Sequence, residues 1–247
     1  MSTAADLPSP GGVLDHLTAL RRALLNSAGA YVLLCVPAWF CTNVLLARLL
    51  AFAAPEGFSL HYFTLLEPFF VRLKIMLLVA AFAALPMWIW QAWQFIAPGL
   101  TARERRLLRT PAMLAYFLAL AGAATALLCM VPAVVAFSLA FATPGMQPVI
   151  GIGAFVSLVL TLLLAGAAIF QFPLVIYALL TTGLVSPEGL RRKRPFVIVG
   201  ILLLAALATP PDVISQLLLA IPAWALFELT LWIHQFQSRR PHETSSV

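Results

Sequence analysis

The chain has 247 residues, of which 62% are hydrophobic and 10% are charged, and its formal net charge is +6. Soluble globular domains carry about 25% charged residues, so this composition excludes an ordinary soluble domain and indicates an integral membrane protein. The excess of cations does not indicate nucleic-acid binding, because the cations form short clusters between apolar segments rather than one basic face. We therefore expect a single polytopic membrane domain over residues 1–247.

Six apolar segments are candidates for membrane-spanning helices, since about 20 residues cross the hydrocarbon core. The predicted spans are 23–47, 69–95, 107–141, 152–180, 195–209 and 213–234. The last two are short, and Phe196–Thr209 offers only 14 residues, or about 21 Å of helix against ~30 Å of hydrocarbon. Prolines within the apolar segments predict kinked helices. They are Pro37, Pro86, Pro111, Pro132, Pro173 and Pro222. The predicted fold is an all-α membrane protein with six proline-kinked spans.

The positions of the cations predict the orientation of these spans. With six spans, the connections 96–106 and 181–194 share one side of the membrane with both termini, and 12 of the 15 lysines and arginines lie there. They are Arg21, Arg22, Arg103, Arg105, Arg106, Arg109, Arg191, Arg192, Lys193, Arg194, Arg239 and Arg240. The positive-inside rule then places both termini in the cytoplasm.

One acid, Glu104, lies inside the densest cationic cluster, within FIAPGLTARERRLLRT at 95–110. The four residues from Thr101 to Glu104 have the S/T-x-x-E pattern of a capping box, which predicts the start of the third helix there. A carboxylate at this place is also suited to bind a guanidinium group in bidentate fashion. The residues alone leave both roles open.

The sequence shows no pattern typical of an enzyme or a metal site. Cys35, Cys41 and Cys129 lie in apolar segments without a CxxC motif, and the four histidines are scattered over both predicted sides. We therefore expect neither catalytic activity nor a cofactor.

Several stretches in order along the chain resemble the TatC family, the polytopic core of the twin-arginine protein translocase. They are HLTALRR before the first span, EPFFVRLK and FIAPGLTARERR around the second, SPEGLRRKRP before the fifth and TPPDVISQLLLAIPAWALFE through the sixth. The resemblance implies a six-span protein of the bacterial inner membrane with both termini in the cytoplasm. It also implies that the cytoplasmic face binds twin-arginine signal peptides of folded precursors and nucleates assembly of the export complex. The implied partners are single-span TatA-like and TatB-like proteins, with further copies of this chain in a larger complex.

The resemblance implies a signal-peptide site around Glu104, whose carboxylate would meet the arginine pair of the cargo. Arg105 and its neighbours would hold this carboxylate ionised and oriented, or would instead repel the cations of the cargo. Phe95 would stack on a guanidinium or receive hydrophobic residues of the signal, although an aromatic residue of the membrane interface would look the same in sequence. Arg21 also matches the family, with lipid-headgroup anchoring as the alternative.

This chain departs from the family at position 19, where Ala19 replaces a usual glutamate. Asp15 lies about one helical turn away on the same face, so we expect it to replace that carboxylate in part. The alternative for Asp15 is a helix cap or a solvated acid.

Four further positions are predicted to serve transport or partner binding. Gln171 replaces a frequent family acid and would contact a partner helix, or would bond internally to this chain. Pro211, Asp212 and Gln216 match the family at the external end of the short hairpin, where Asp212 is also placed to cap the sixth helix.

The main functional alternative is a small-solute transporter or channel. Such a protein would be expected to have charged residues near the middle of the membrane and repeated halves. Here the cations cluster at the surface instead, which favours the translocase.

Overall fold

The computed structural model describes residues 10–53, 60–141, 149–208 and 213–238, and these ranges are almost entirely helical. The helices are α1 (Pro10–Ala53), α2 (Glu67–Ile96), α3 (Ala102–Thr125), α4 (Val131–Ala140), α5 (Ile152–Ile169), α6 (Phe172–Thr181), α7 (Pro187–Arg192), α8 (Arg194–Ala208) and α9 (Val213–Ser238). Two short strands, β1 (Leu60–His61) and β2 (Ile150–Gly151), and a 3-10 turn at Ala97–Gly99 complete them. Five helical segments are long and apolar enough to cross a membrane, and α8 is a shorter apolar helix. The predicted all-α architecture is confirmed.

Several helices extend beyond the predicted spans. The first helix has 44 residues and begins at Pro10, so the segment before residue 23 is helical as well. The predicted connections 96–106 and 181–194 contain helical residues, because α3 begins at Ala102, where the capping box predicts it, and α7 lies within the second connection. Thr101 and Ser186 cap these helix starts with their hydroxyl groups, and such polar caps form outside the apolar pattern that defines a span.

The third and fourth spans each consist of two helices. A π-helical segment, Ala126–Met130, joins α3 to α4, and Phe170 and Gln171 separate α5 from α6. Pro132 and Pro173 lie in the first turns of α4 and α6, where a missing N–H costs little because first-turn donors have no helical partner. The other four prolines lie inside helices: Pro37, Pro86, Pro111 and Pro222.

The centre of the bundle is α5. It contacts α2, α3, α8 and α9, and its Val156, Val159 and Leu162 are fully buried. Elsewhere α1 packs along α2, and α6 packs against α9. Large apolar side chains cover the outside, including Phe40 at 76% and Leu207 at 85% exposure. Extensive exposed apolar surface of this kind is expected on a protein surrounded by lipid.

The helices α3 and α5 cross at two glycines. A Cβ atom added to Gly166 would lie 2.5 Å from the backbone oxygen of Gly122 and 2.8 Å from the Cβ of Ala126. Ala119 and Ala167 pack in the same small-residue seam. Small residues allow two helix backbones to approach closely, and this approach supplies much of the packing energy inside a membrane.

Two connections meet at the end of the bundle predicted to be external. Leu60 pairs with Ile150 and His61 with Gly151 in a short parallel ladder between β1 and β2. The first connection and the one between the third and fourth spans therefore lie on the same side, as the sequence predicts.

Glu67 stabilises this end of the bundle through hydrogen bonds to the backbone. Its carboxylate accepts hydrogen bonds from the backbone N–H groups of Phe63 at 2.7 Å, Thr64 at 3.3 Å and Gly153 at 2.8 Å. The bond to Gly153 joins the start of α2 to the start of α5, 86 residues later in the chain.

Gly153→Ala is expected to destabilise the protein by about 1–3 kcal/mol, the cost of leaving hydrogen-bonding groups unsatisfied. The new Cβ would lie 2.5 Å from Glu67 Oε1 and 3.1 Å from its Cδ, so the carboxylate would have to move and give up its bonds. Thermal unfolding in detergent measures the effect, with Gly200→Ala as the control because nothing lies within 4 Å of that site. Both substitutions remove the same contact between Glu67 and Gly153. The double variant should therefore be little less stable than Glu67→Ala alone. A loss of stability equal to the sum of the two single losses would contradict this account.

Candidate functional site

Three grooves open around one end of the bundle, where the α2–α3 connection lies close to the Tyr177–Thr181 end of α6. We call this the arginine-rich end. The first groove, between α3, α6 and α9, has a volume of about 470 Å³. The second, between α1 and α2, has about 370 Å³, and the third, between α2 and α3, has about 1010 Å³. The predicted site residues are divided among these grooves.

Glu104 lies in the α3–α6–α9 groove. Both polar and apolar side chains line this groove: Thr101 just before α3, Arg103, Glu104 and Leu107 from α3, Tyr177, Leu180 and Thr181 from α6, and His234 from α9. The Tyr177 and His234 rings lie edge to face, with their centroids 6.4 Å apart.

The Glu104 carboxylate is fixed in place by Thr101. Its Oε2 atom accepts from the Thr101 N–H at 2.8 Å and from the Thr101 hydroxyl at 2.7 Å, while the Glu104 N–H donates to that hydroxyl at 3.3 Å. The predicted capping box is therefore confirmed. Both donors use the same oxygen, so the other carboxylate oxygen is left to accept further bonds.

The arginines next to Glu104 in sequence do not neutralise it. In the ranges that the structure describes, the one ion pair within 4.0 Å joins Arg194 to Glu228. Neither Arg103 nor Arg105 therefore pairs with the Glu104 carboxylate. A fixed carboxylate without an internal counter-charge is suited to bind a cation from outside.

Phe95 lies in the α1–α2 groove and not in the Glu104 groove. Ala19 lines the same groove as Phe95. Asp15 precedes Ala19 by one turn of α1, as predicted, although its side chain falls outside the part of the chain that is described. Arg21 is exposed, and its neighbour Arg22 lines the groove instead.

Arg105 lies in the third groove together with Arg106 and Arg109. The structure thus separates Arg105 from Glu104, which is adjacent in sequence. Consecutive residues of an α-helix point about 100° apart around its axis, because one turn contains 3.6 residues. The cationic cluster that looks uniform in sequence therefore covers two different faces of α3.

Of the predicted transport residues, Gln171 and Gln216 line none of these three grooves. Gln171 donates from Nε2 to the backbone oxygens of Ala115 at 3.1 Å and Ala167 at 3.4 Å. This is the internal bond that the sequence left open as one alternative, and it joins the break between α5 and α6 to α3. Pro211 and Asp212 lie outside the described residues.

Two polar contacts hold the short α8 against α9. Gln216 donates from Nε2 to the Leu202 oxygen at 3.0 Å. Arg194 donates to Glu228 at 2.7 Å near the other end of the pair. The predicted transport residue Gln216 is thus also a structural contact of the hairpin.

Sequence analysis did not identify five residues that line the Glu104 groove: Leu107, Tyr177, Leu180, Thr181 and His234. The last lies 130 residues from Glu104, and only the packing of α3, α6 and α9 brings them together. One local indication existed, because Tyr177 and Thr181 are four residues apart and share a face of α6.

Comparison with known proteins identifies the family. Residues 15–222 match the family model of the Sec-independent protein translocase protein TatC. The TatC proteins of Escherichia coli K12 and Azotobacter chroococcum are 35% and 33% identical to this chain, over 91% and 93% of its length and 88% and 91% of theirs. A crystal structure of the twin-arginine translocase receptor TatC in DDM superposes with a TM-score of 0.79 at 28% identity, covering 88% of this chain and 98% of that one. The chain therefore belongs to the TatC family of Sec-independent protein translocase proteins.

Proposed function

We propose that the α3–α6–α9 groove binds the arginine pair of twin-arginine signal peptides. Membership of the family makes the chain a component of the twin-arginine translocase in the bacterial inner membrane. The observation that carries the finer proposal is the Glu104 carboxylate, which Thr101 holds in place and no described cation neutralises. A solved relative is described as the translocase receptor, which supports a receptor role for this chain too.

The chemistry of the groove favours arginine over lysine. A guanidinium presents parallel N–H donors to a carboxylate and stacks on aromatic rings, whereas an ammonium does neither in a fixed geometry. Glu104 supplies the carboxylate and Tyr177 the aromatic face, while Leu107, which is 41% exposed, offers contact to the hydrophobic part of the signal. Bound folded precursors would then be placed for export.

Other parts of the cytoplasmic surface extend this proposal. Phe95 and Ala19 share the neighbouring α1–α2 groove. We expect Asp15, one helical turn before Ala19 on α1, to supply a second carboxylate for the signal peptide. Arg21 is exposed on α1 and Arg105 on α3, at the two sides of the same end of the bundle. We expect these residues to contact flanking parts of the signal peptide rather than its arginine pair.

TatA-like and TatB-like single-span proteins and further copies of this chain complete the proposed complex. Polar side chains inside apolar spans promote contacts between membrane helices. Gln171 and Gln216 each use the amide N–H₂ group internally, so their side-chain oxygens remain the groups that a partner helix would contact.

The proposal predicts that signal peptides with Arg-Arg, but not Lys-Lys, crosslink to the Glu104 groove. A photoreactive residue at Leu107 reports on this groove, and one at Met113, which lines the α2–α3 groove, serves as a matched control. We expect Arg-Arg peptides to crosslink at position 107 about tenfold more than Lys-Lys peptides, since one to two charged hydrogen bonds are lost. Equal yields for the two peptides, or equal yields at both positions, would overturn it.

A further inference from the structure

The α2–α3 groove has the largest volume of the three grooves described at the arginine-rich end, and the proposed function uses only Arg105 of its lining. Its volume is about 1010 Å³, and its lining has a cationic part and an apolar part. Arg105, Arg106 and Arg109 line the part next to the α2–α3 connection, and apolar and aromatic side chains line the rest.

The cationic part of the groove carries uncompensated positive charge. None of the described residues that line it has a carboxylate, and within the described ranges Arg106 and Arg109 form no ion pair. All three arginines are exposed. Glu104 does not offset them, because it points into the α3–α6–α9 groove on another face of the helix. These guanidinium groups are therefore available to an anion from outside the protein.

The apolar part of the groove has the length of one membrane leaflet. Trp90 and Trp93 line it from α2, and Met113 and Phe117 from α3. Phe117 lies 12 residues after Arg105, a separation of about 18 Å along the helix, compared with ~15 Å for half of the hydrocarbon core. Trp90, Met113 and Phe117 are more than half exposed, so this wall is open along its length.

We infer that this groove binds an anionic phospholipid, with the phosphate at Arg106 and Arg109 and an acyl chain along Trp90 and Phe117. Guanidinium groups bind phosphate oxygens in bidentate geometry. Basic pockets between membrane helices on the cytoplasmic side are typical sites for anionic lipid headgroups. The cationic n-region of a signal peptide would be repelled here, so the charge distribution favours a lipid over cargo. The bound lipid would fix the angle between α2 and α3 beside the proposed signal-peptide groove.

Native mass spectrometry of the full chain with phosphatidylglycerol or phosphatidylcholine tests this inference. The variant Arg106→Gln/Arg109→Gln spares Arg105, and Arg191→Gln/Arg192→Gln on α7 is the control with the same loss of charge. We expect the first variant to retain phosphatidylglycerol about tenfold less well than the control, because each basic residue near the headgroup contributes to binding. Phosphatidylcholine binding should be the same in both.

A second measurement locates the acyl chain. Phosphatidylglycerol brominated on its acyl chains, added to the protein in detergent in equimolar amount, should quench tryptophan fluorescence. Trp90→Phe/Trp93→Phe should reduce this quenching more than Trp224→Phe/Trp232→Phe, since the first two side chains line the groove and the other two are exposed elsewhere, on α9. Equal phosphatidylglycerol retention by the two arginine variants would overturn the inference, as would a parallel loss of phosphatidylcholine. If an Arg-Arg peptide does crosslink at Met113, and Arg106→Gln/Arg109→Gln abolishes that crosslink with unchanged lipid retention, the groove is a peptide site instead. If Arg-Arg peptides do not crosslink at Leu107, the proposed signal-peptide site is wrong. That result does not affect the lipid site, which the lipid-retention measurement tests separately.

Discussion

Glu104→Gln is expected to weaken binding of an Arg-Arg signal peptide by about 10- to 100-fold, and export should fall with it. Hydrogen bonds to a charged group are worth about 1.5–3 kcal/mol, which corresponds to this range. In the unchanged protein the Thr101 N–H and hydroxyl donate to Glu104 Oε2 at 2.8 and 2.7 Å. Glutamine keeps a side-chain oxygen that can accept both bonds. The capping box accepts glutamine as well as glutamate, so the variant removes the charge and retains the start of α3.

Thr101→Ala is the reciprocal control. It removes the hydroxyl that accepts from the Glu104 N–H, costs about 1 kcal/mol of stability as a lost helix cap, and leaves the carboxylate charged. If Glu104 acts through its charge, this variant will bind the peptide far better than Glu104→Gln while being the less stable of the two. Binding that follows thermal stability across both variants would show that Glu104 acts only as a cap. Peptide affinity and unfolding temperature, measured on the same preparations, separate these outcomes.

The elements that the sequence predicts well are those set by local rules. The membrane imposes a minimum length of apolar helix, so hydropathy finds the spans. The cap at Thr101 and Glu104 is visible because both partners lie within four residues. Helix ends outside the bilayer follow no hydropathy rule, and for that reason α1 reaches back to Pro10, well before the predicted span.

The division of the site among three grooves depends on contacts that no local pattern contains. His234 lies in the same groove as Glu104 only because α9 packs against α6. Arg105 lies in a different groove from Glu104 only because of the way α3 is rotated relative to its neighbours. A sequence shows that arginines and an acid alternate, but not which face of the helix each neighbour covers. The internal bond of Gln171 to Ala115 likewise requires the α3–α5 crossing to be known.

That crossing sets the spacing of the proposed site. Because α3 carries Glu104 and α5 leads into α6 with Tyr177, the distance between α3 and α5 also determines how wide the Glu104 groove is. Gly122 and Gly166 define the closest approach, and the atoms that a new side chain would meet there belong mainly to the backbone. A helix backbone in a packed bundle cannot rotate away as a flexible side chain can.

Gly122→Ala is therefore expected to destabilise the protein by ~1–3 kcal/mol, the usual cost of overpacking. Its new Cβ would overlap the Gly166 carbonyl and lie 2.9 Å from the Cβ of Phe170, forcing α3 and α5 apart. Gly29→Ala is the matched control, because α1 is open at that position and alanine is the better helix former by up to ~1 kcal/mol. Thermal unfolding in detergent should thus rank Gly29→Ala at or above the unchanged protein and Gly122→Ala well below it. Signal-peptide crosslinking at Leu107 should fall in Gly122→Ala even at temperatures where it remains folded, since the groove walls move with the two helices. Unchanged stability together with unchanged crosslinking would mean that the crossing is looser than its glycines indicate.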